Sequence, residues 1–279
     1  QLINKSKGVA VANVSSEDIQ SVPFPLAPLA EQKRIADKLD TVLTCVDAVN
    51  ERLARVAPIL KRFRQSVLAA ATSGRLTEDW RVSSGVESEW QVTDVQTVAH
   101  VGTGSTPLRS NAEFFAESGT PWVTSAATSQ EVVSSAAEYV TQAAISAHRL
   151  KVYPVGTLLV AMYGEGKTRG QVTQLGIPAT INQACAAVVV DESKMLRDFV
   201  KLALQANYLE MRILAEGGNQ PNLNLAKVKS FPLPLPSREE QTEIVRRVET
   251  MFAFADRLEA RLQAAQTAAD RLTPSLLAK

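Results

Sequence analysis

Residues that bind metals or form disulfides are scarce in this sequence. It contains two cysteines, Cys45 and Cys185, and two histidines, His100 and His148, among 279 residues. Two widely separated cysteines exclude a disulfide framework, and with no second cysteine or histidine close in sequence they do not form a zinc motif. We therefore expect two small buried thiols, no metal site and no bound cofactor.

Signals for a membrane or a secretory route are also missing. The sequence has no long apolar run of the roughly 18 residues that a membrane helix needs, and its start lacks the apolar core of a signal peptide. We therefore expect no membrane contact and a cytoplasmic location. Because the sequence begins with Gln1 rather than methionine, we also expect it to be part of a longer chain.

The positive and negative charges of the chain are nearly balanced. Its 30 basic and 29 acidic side chains give a formal net charge of +1 at pH 7. This balance provides no general attraction to nucleic acid, so a DNA-binding surface would depend on the local placement of donors. Aromatic residues make up only 5% of the sequence, and alanine, leucine and valine are abundant, which favours long helices.

Catalytic motifs are absent from the sequence as well. It has no G-x-S-x-G motif of serine hydrolases and no H-E-x-x-H motif of zinc proteases. It also lacks the cofactor-binding glycine motif and the Asn-Pro-Pro-aromatic motif of DNA methyltransferases. Residues 161–168 fit a relaxed nucleotide-binding P-loop, but such a loop needs a helix whose N-terminus faces the phosphates. The residues that follow, up to Pro178, predict a turn and a strand instead. We therefore predict a binding protein that has no catalytic residues and does not bind ATP.

The sequence does contain a long internal repeat. A shift of 209 positions lays residues 23–26 over 232–235 and Glu31-Gln32 over Glu240-Gln241. Identities continue along both copies well beyond these pairs. A repeat of this length predicts that the same structural unit occurs twice in the chain.

Each copy of the repeat is a proline-rich turn followed by a long amphipathic segment. Apolar residues recur there at alternating steps of three and four, a period typical of a coiled-coil seam. Ser237 and Glu240 predict a capping box at the start of the second helix. The simplest arrangement is an antiparallel pair of helices with a domain between them. The predicted seam positions are Ile35, Leu39, Val42, Val46, Val49, Leu53, Val56, Leu60, Phe63 and Val67, then Ile244, Val248, Met251, Ala255, Leu258, Leu262, Ala265, Ala269, Leu272 and Leu276.

The segment between the two helices lacks this heptad pattern and alternates short strands with turns. Valine, threonine and period-two alternation indicate the strands, and one-sided apolar patterns indicate the helices. We therefore predict an α+β fold, in which one mixed α/β domain is flanked by two long helices that form an antiparallel coiled coil. The predicted strands are residues 91–101, 121–124, 156–163 and 179–190, and the predicted helices are 141–149 and 193–215.

Three loops of this middle domain, residues 102–109, 163–170 and 217–222, combine glycine with polar donors. Glycine lets a backbone approach a ligand closely, and Arg, Lys, Asn and Gln are suited to phosphates and base edges. We predict that the cations contact phosphates and that the amides contact bases, adenine in particular. The predicted DNA contacts are Thr106, Arg109, Lys167, Thr168, Arg169, Gln183, Asn219 and Gln220.

The sequence resembles the specificity subunits of type I restriction–modification systems along essentially its whole length. Residues 28–35 and 65–76 are similar to the central conserved region of that family. Other motifs, in the same order as in the family, resemble hallmarks of its target recognition domains. These motifs are residues 104–107, 121–123, 162–164 and 182–184.

The resemblance implies a domain order for this chain. Residues 1–27 would be the tail of a first target recognition domain, and 28–76 would be the first conserved helix. Residues 77–235 would be a complete target recognition domain, and 236–279 would be the second conserved helix. This order departs from the family pattern, which has two complete recognition domains.

The resemblance also implies partners. In that family each recognition domain reads one half of a split site on double-stranded DNA. Methyltransferase subunits dock on the helices, and restriction subunits join through them. S-adenosylmethionine and ATP belong to those partner subunits. With one complete recognition domain, we expect this chain to bind one half-site, and we consider a homodimer formed through the long helices.

Two alternatives remain open from the residues alone. The first is a coiled-coil assembly or interaction protein that does not read DNA. The second is the specificity part of a type IIB-like restriction enzyme, which shares these elements.

Overall fold

A computed structural model gives the conformation of residues 16–23, 26–86, 89–164, 168–216 and 223–277. The chain divides into two compact units. Residues 1–56 together with 262–279 form the first unit, and residues 57–261 form the second. The two long helices each contribute to both units.

The helices of the described residues include the two long ones that the repeat predicts, now bounded as α2 and α9. The first follows the turn at Pro28, whose carbonyl accepts hydrogen bonds from the backbone N–H groups of Glu31 and Gln32. The α-helices are α1 (Ser16–Gln20), α2 (Leu29–Thr72), α3 (Glu78–Ser84), α4 (Val95–Val98), α5 (Gln142–His148), α6 (Arg197–Ala206), α7 (Tyr208–Glu216), α8 (Leu225–Lys229) and α9 (Arg238–Leu277).

Short strands of the second unit form three sheets. Their orders are β1-β11, β2-β10-β7-β8-β5 and β3-β6-β4-β9. The strands are β1 (Gln91–Asp94), β2 (Ala99–Thr103), β3 (Phe115–Ala116), β4 (Thr120–Val123), β5 (Val132–Val133), β6 (Glu138–Val140), β7 (Leu158–Ala161), β8 (Val172–Leu175), β9 (Thr180–Ile181), β10 (Cys185–Val190) and β11 (Pro232–Leu235).

The five-stranded sheet is buried on both faces. Alternate residues of a strand point to opposite faces, so β7 contributes to the core on each side. Leu158 and Val160 of β7 belong to a core cluster with Phe199 of α6 and Ile244 of α9. Leu159, which lies between them, belongs instead to a cluster with Val123 of β4. The sheet therefore separates a helical layer from the four-stranded sheet, and the predicted α+β class is confirmed.

Within the second unit, α2 and α9 run antiparallel, as the repeat predicts. Arg64 of α2 donates to Asp256 at 2.8 Å and to Glu259 at 2.7 Å. Closer to the start of α9, Glu240 accepts from Thr77, which lies just beyond the end of α2. Residue numbers thus rise on one helix as they fall on its neighbour, which defines the antiparallel pair.

Only part of the predicted seam is buried. Ile35 is 47% exposed, Val49 is 41% exposed and Ala265 is also exposed, so the seam prediction is wrong at these positions. A helix pair covers a narrow stripe on each member, and positions seven residues apart stay on that stripe. The buried seam positions are Val46, Leu60, Val67, Ile244, Val248, Ala255, Leu262 and Ala269.

Two predicted strands are too long. The 91–101 stretch is interrupted by α4, because the carboxylate of Asp94 accepts hydrogen bonds from the backbone N–H and the hydroxyl of Thr97 at 3.0 and 2.6 Å. The 179–190 stretch is interrupted at Asn182, whose side-chain oxygen accepts from the backbone N–H of Ala184. Short polar side chains that bond their own backbone compete with strand pairing in this way.

One predicted helix and one predicted thiol also differ from the structure. The helix predicted at 193–215 begins at Arg197 and divides at Asn207, where the backbone turns between α6 and α7. Cys185 is buried, which raises the pKa of its thiol to about 12. Cys45 is exposed, so the expectation of two buried thiols is wrong for Cys45, which lies beside the seam position Val46 rather than on it.

Candidate functional site

The register of three strands brings the described parts of two predicted loops, those at 102–109 and 163–170, to one edge of the five-stranded sheet. Thr103 at the end of β2 pairs with Ala186 near the start of β10. Ala161 at the end of β7 pairs with Cys185, which also belongs to β10. The segments that leave β2 and β7 therefore lie beside the segment that enters β10. We call this place the loop edge and define it as residues 104–109, 162–164, 168–170 and 182–184.

Backbone contacts hold the first of these segments against the third. A Cβ atom at Gly104 would overlap the carbonyl group of Ile181, so only glycine allows this approach. The indole Nε1 of Trp122 donates to the carbonyl of Ser105 at 3.2 Å. The backbone N–H of Asn182 donates to the carbonyl of Val123 at 3.0 Å. Both segments are thus fixed to the strand that carries Trp122.

Two predicted contact residues, Thr106 and Gln183, meet across this junction. The hydroxyl of Thr106 donates to Oε1 of Gln183 at 2.6 Å, although the residues are 77 positions apart. Gln183 is exposed. Its Nε2 donates to no partner among the described residues. The pair therefore presents an amide donor to solvent from a fixed position.

Arg109 is held by an acidic side chain, Glu138, that no sequence motif singles out. Its Nη1 and Nη2 donate to the two carboxylate oxygens of Glu138 at 2.8 and 2.9 Å. Its guanidinium also lies 5.0 Å from the ring centre of Phe115 and 5.4 Å from that of Trp122. The hydrogen bonds from Arg109 hold the pKa of the Glu138 carboxyl below its usual value. Arg109 is therefore a paired cation that is stacked on aromatic rings.

Arg169 differs from Arg109 in its surroundings. It is half-buried, and its Nε is buried without a hydrogen-bond partner. Within the described part of the chain, its guanidinium is also not held in an ion pair. A cation in this state is free to pair with an anionic ligand. Arg169 is thus the unpaired arginine of the loop edge.

The middle segment of the loop edge is joined to its neighbours by backbone hydrogen bonds. Met162 N–H donates to the carbonyl of Ala184 at 2.7 Å, and Gly170 N–H donates to that of Ala161 at 2.8 Å. Thr168, a predicted contact, lies against Gly164, where a Cβ atom would meet its side chain. Residues 162–164 therefore lie between the segment with Thr168 and Arg169 and the segment with Gln183, and they contact both.

Three predicted contact residues, Lys167, Asn219 and Gln220, lie outside the described residues. Leu223, the first described residue after the third predicted loop, donates from its backbone N–H to the carbonyl of Met162 at 3.2 Å. The chain therefore contacts the loop edge at Leu223, where the described residues resume.

The P-loop-like segment continues as the sequence predicts. After Thr168 come a turn and β8, which begins at Val172, so no helix N-terminus follows that residue. The described residues also contain no group of three or more His, Cys, Asp and Glu side chains that could hold a metal ion. Among the described helices, none is long and apolar enough to cross a membrane.

The contacts that sequence reasoning missed are those made by residues distant in the chain. Glu138 and Phe115, which hold Arg109, carry no local signal because neither belongs to a glycine-rich loop. Trp122 falls within a motif of the predicted recognition domain, but its bond to Ser105 depends on the tertiary structure. The loop edge as a whole offers the exposed amide of Gln183, threonine hydroxyls at two half-buried positions, and Arg169, which has no ion-pair partner among the described residues.

Comparison with known proteins gives relatives of one kind. The chain is 31% identical over 295 residues to the type I restriction enzyme EcoBI specificity subunit of Escherichia coli, covering 98% of this chain and 60% of that protein. It is 29% identical over 292 residues to the EcoKI specificity subunit of Escherichia coli strain K12, with the same coverage of 98% and 60%. The chain thus spans about 60% of the length of these relatives.

Solved structures share the fold. The HsdS subunit from Thermoanaerobacter tengcongensis matches with a TM-score of 0.63 and 19% identity, covering 99% of this chain and 64% of that one. A chain from a structure described as the basis of "complex assembly and conformational transition of the type I R-M system" matches with a TM-score of 0.76 and 19% identity, covering 98% and 64%.

The family of this chain is assigned from the match between its sequence and a family model. Residues 1–57 and 87–265 match the family described as the type I restriction modification DNA specificity domain, which is well over half of the chain. That match includes all four ranges of the loop edge. The chain belongs to the type I restriction–modification DNA specificity family.

Proposed function

We propose that this chain reads DNA sequence on behalf of a type I restriction–modification enzyme and binds one half of a split target site. The observation that carries the proposal is the loop edge, where three segments distant in sequence meet at one end of a sheet. Short loops on a rigid sheet hold their donors in place, which a sequence-reading surface requires. The chain itself acts as a targeting subunit and catalyses no reaction.

The side chains of the loop edge divide into two roles. Arg169 has no ion-pair partner among the described residues and contacts a phosphate. Gln183 presents an amide, and an amide matches the donor and acceptor pattern of an adenine in the major groove. Lys167, Asn219 and Gln220 stay proposed contacts on the strength of their residue types. Arg109 is already paired with Glu138, so its role is to hold the 104–109 loop in place and not to contact DNA.

The long helices hold this reader at a defined place in a larger enzyme. Methyltransferase subunits dock on α2 and α9, and restriction subunits join through them. Within the second unit the helix pair is fixed by ion pairs from Arg64 to Asp256 and Glu259. A stiff pair of helices is suited to hold the DNA-reading domain at a fixed distance from the rest of the enzyme, since each helical residue adds about 1.5 Å of length. S-adenosylmethionine and ATP would bind the partner subunits, in the cytoplasm where such enzymes meet DNA.

Two copies of the chain pair through their helices and read a symmetric split site. Support comes from apolar side chains in the first unit that are exposed in a single copy, namely Leu29 at 82%, Ile35 at 47% and Val49 at 41%. Light scattering coupled to size exclusion should find a dimer at high concentration. A monomer at every concentration would contradict the pairing and leave the half-site proposal standing.

Sequence selection tests the proposal as a whole. The chain, with the methyltransferase subunit of its own system, is incubated with duplexes of random sequence, and bound DNA is recovered and sequenced. We expect one enriched half-site of a few base pairs. Recovered DNA without any preferred sequence would instead favour an assembly protein whose middle domain binds another protein.

A further inference from the structure

The hydrogen bond between Thr106 and Gln183 holds an exposed side chain in place. Thr106 donates to Oε1 of Gln183 at 2.6 Å, and Gln183 itself is exposed. A hydrogen bond between neutral side chains at an exposed position contributes little to stability. Its clearer consequence is geometric, since it restrains the orientation of the Gln183 amide, with Oε1 held at the Thr106 hydroxyl.

Both backbones around this pair are held firmly. Gly104 packs against the carbonyl group of Ile181, and Ser105 accepts a hydrogen bond from Trp122. On the other side, Asn182 is bound through its N–H to Val123. The backbone positions of Thr106 and Gln183 are therefore set by their neighbours, and the Thr106 hydroxyl restrains the side chain of Gln183 on that fixed backbone.

We propose that Thr106 is a positioning residue that fixes the amide of Gln183 so that this amide distinguishes adenine from guanine in the major groove. The proposal rests on the DNA-reading function proposed above. With one lone pair of Oε1 occupied by Thr106, the other lone pair and both hydrogens of Nε2 remain free. The fixed amide then offers one donor and one acceptor side by side.

Adenine is the base that complements this arrangement. Its major-groove edge has an acceptor at N7 and a donor at N6, which pair with Nε2 and Oε1 respectively. Guanine has acceptors at both N7 and O6, so Oε1 of a fixed amide would face another acceptor. An amide that can turn freely is able to place the two hydrogens of Nε2 toward the two guanine acceptors, and the distinction weakens.

The test measures base preference position by position. The full chain, with its methyltransferase subunit, selects from random duplexes as wild type and as Thr106→Val, Thr106→Ser and Gln183→Glu. Valine keeps the shape of threonine without the hydroxyl, whereas serine keeps the hydroxyl. We expect Thr106→Val to lower the preference for adenine over guanine by about fivefold or more at one position, the low end for a bidentate contact. Preferences at the other positions should not change, and Thr106→Ser should behave as wild type.

Gln183→Glu provides a second, independent variant. A carboxylate only accepts, and it pairs with the N4 amino group of cytosine. We therefore expect the same position to change its preference from adenine to cytosine. If Thr106→Val does not fold, as judged from thermal unfolding, Thr106→Ala takes its place, and an unchanged preference for adenine over guanine in that variant overturns the proposal.

Other outcomes separate this proposal from the one on which it rests. A Thr106→Val profile identical to wild type would overturn the positioning role, and so would a loss of affinity spread equally over all positions. In both cases an enriched wild-type half-site would leave the DNA-reading function intact. The absence of any enriched sequence with the wild-type protein would overturn the DNA-reading function, and this proposal with it.

Discussion

The carboxylate of Glu240, near the start of α9, accepts a hydrogen bond from the indole Nε1 of Trp90 at 2.9 Å across 150 positions of sequence. The same carboxylate is fully buried and also accepts from Thr77 at 2.7 Å and from Arg81. Three donors from the segment between α2 and the first strand thus converge on one residue of the second helix. Glu240 therefore joins the segment between α2 and β1 to the start of α9.

Replacement of Glu240 by alanine should destabilise the protein strongly. The change leaves Thr77, Arg81 and Trp90 without their shared acceptor, and removal of one partner from a buried charged pair costs about 3–5 kcal/mol. Arg81 retains some exposure, so we expect a loss of about 3 kcal/mol, at the low end of that range. Urea unfolding followed by circular dichroism measures the change.

The internal repeat supplies a matched control for this prediction. Glu31 is the counterpart of Glu240 in the first copy, but it is exposed and pairs with Arg34 on its own helix. Exposed pairs of this kind contribute about 0–1 kcal/mol, so Glu31→Ala should have little effect. Equal losses for the two variants would show that Glu240 has no special structural role.

Acid should weaken the attachment of α3 to α9 through Glu243. Hydrogen bonds from Arg246 and then Arg247 lower the pKa of the Glu243 carboxyl from 4.5 to about 2. Because the folded pKa is the lower one, the stabilisation is present above pH 4.5 and is lost as the pH falls toward about 2. Arg247 also pairs with Asp79 of α3, which lowers the pKa of the Asp79 carboxyl as well.

Comparison of wild type with Glu243→Gln isolates this effect. The difference between their free energies of unfolding should be constant near neutral pH and should shrink as the pH falls below 4.5. A difference for Glu243→Gln that stays the same down to low pH would contradict the linkage.

Gly104→Ala should disrupt the loop edge. The new Cβ atom would overlap the carbonyl group of Ile181, so one of the two backbone segments has to move. We expect a lower melting temperature together with a loss of DNA binding. The neighbouring change Ser105→Ala is the control for stability, since the Ser105 hydroxyl is buried without a hydrogen-bond partner among the described residues. Its removal should leave the melting temperature unchanged or slightly higher.

Arg169→Ala should weaken DNA binding without a change in sequence preference. The loss of one phosphate contact reduces the slope of log affinity against log salt by about 1. Lys194, at the opposite end of β10 from the loop edge, is the matched control, and Lys194→Ala should keep the wild-type slope. Fluorescence anisotropy across a salt series gives both slopes. Identical slopes for wild type and Arg169→Ala would remove Arg169 from the interface.

The sequence predicted the long elements of this fold better than the short ones. The repeat and its heptads were sufficient for α2 and α9, because a regular apolar spacing over many turns leaves few other structures. Seam burial was wrong at Ile35 and Val49, since the pattern shows which residues are apolar and not how wide a stripe the partner covers. The strand at 91–101 was too long because one local cap by Asp94 outweighs strand propensity.

The candidate site was predictable in its parts and not in its arrangement. Glycine and donor residues marked the loops of Thr106, Gln183 and Arg169, which the strand register then places together. The pairing of Arg109 with Glu138 was not predictable, because the two residues meet only through the tertiary structure. Residue type alone gave Arg109 and Arg169 the same role, whereas among the described residues Arg109 has an ion-pair partner and Arg169 has none.

Site-specific crosslinking tests the central claim most directly. A photoreactive amino acid replaces Gln183 at the loop edge in one variant and Lys194 at the opposite end of the sheet in another, and each is irradiated with duplex DNA that contains the selected half-site. The loop edge as a DNA reader predicts crosslinks from position 183, to bases within the half-site, and none from position 194. Crosslinks from position 194 alone, or none from position 183 under conditions where the DNA is bound, would contradict it.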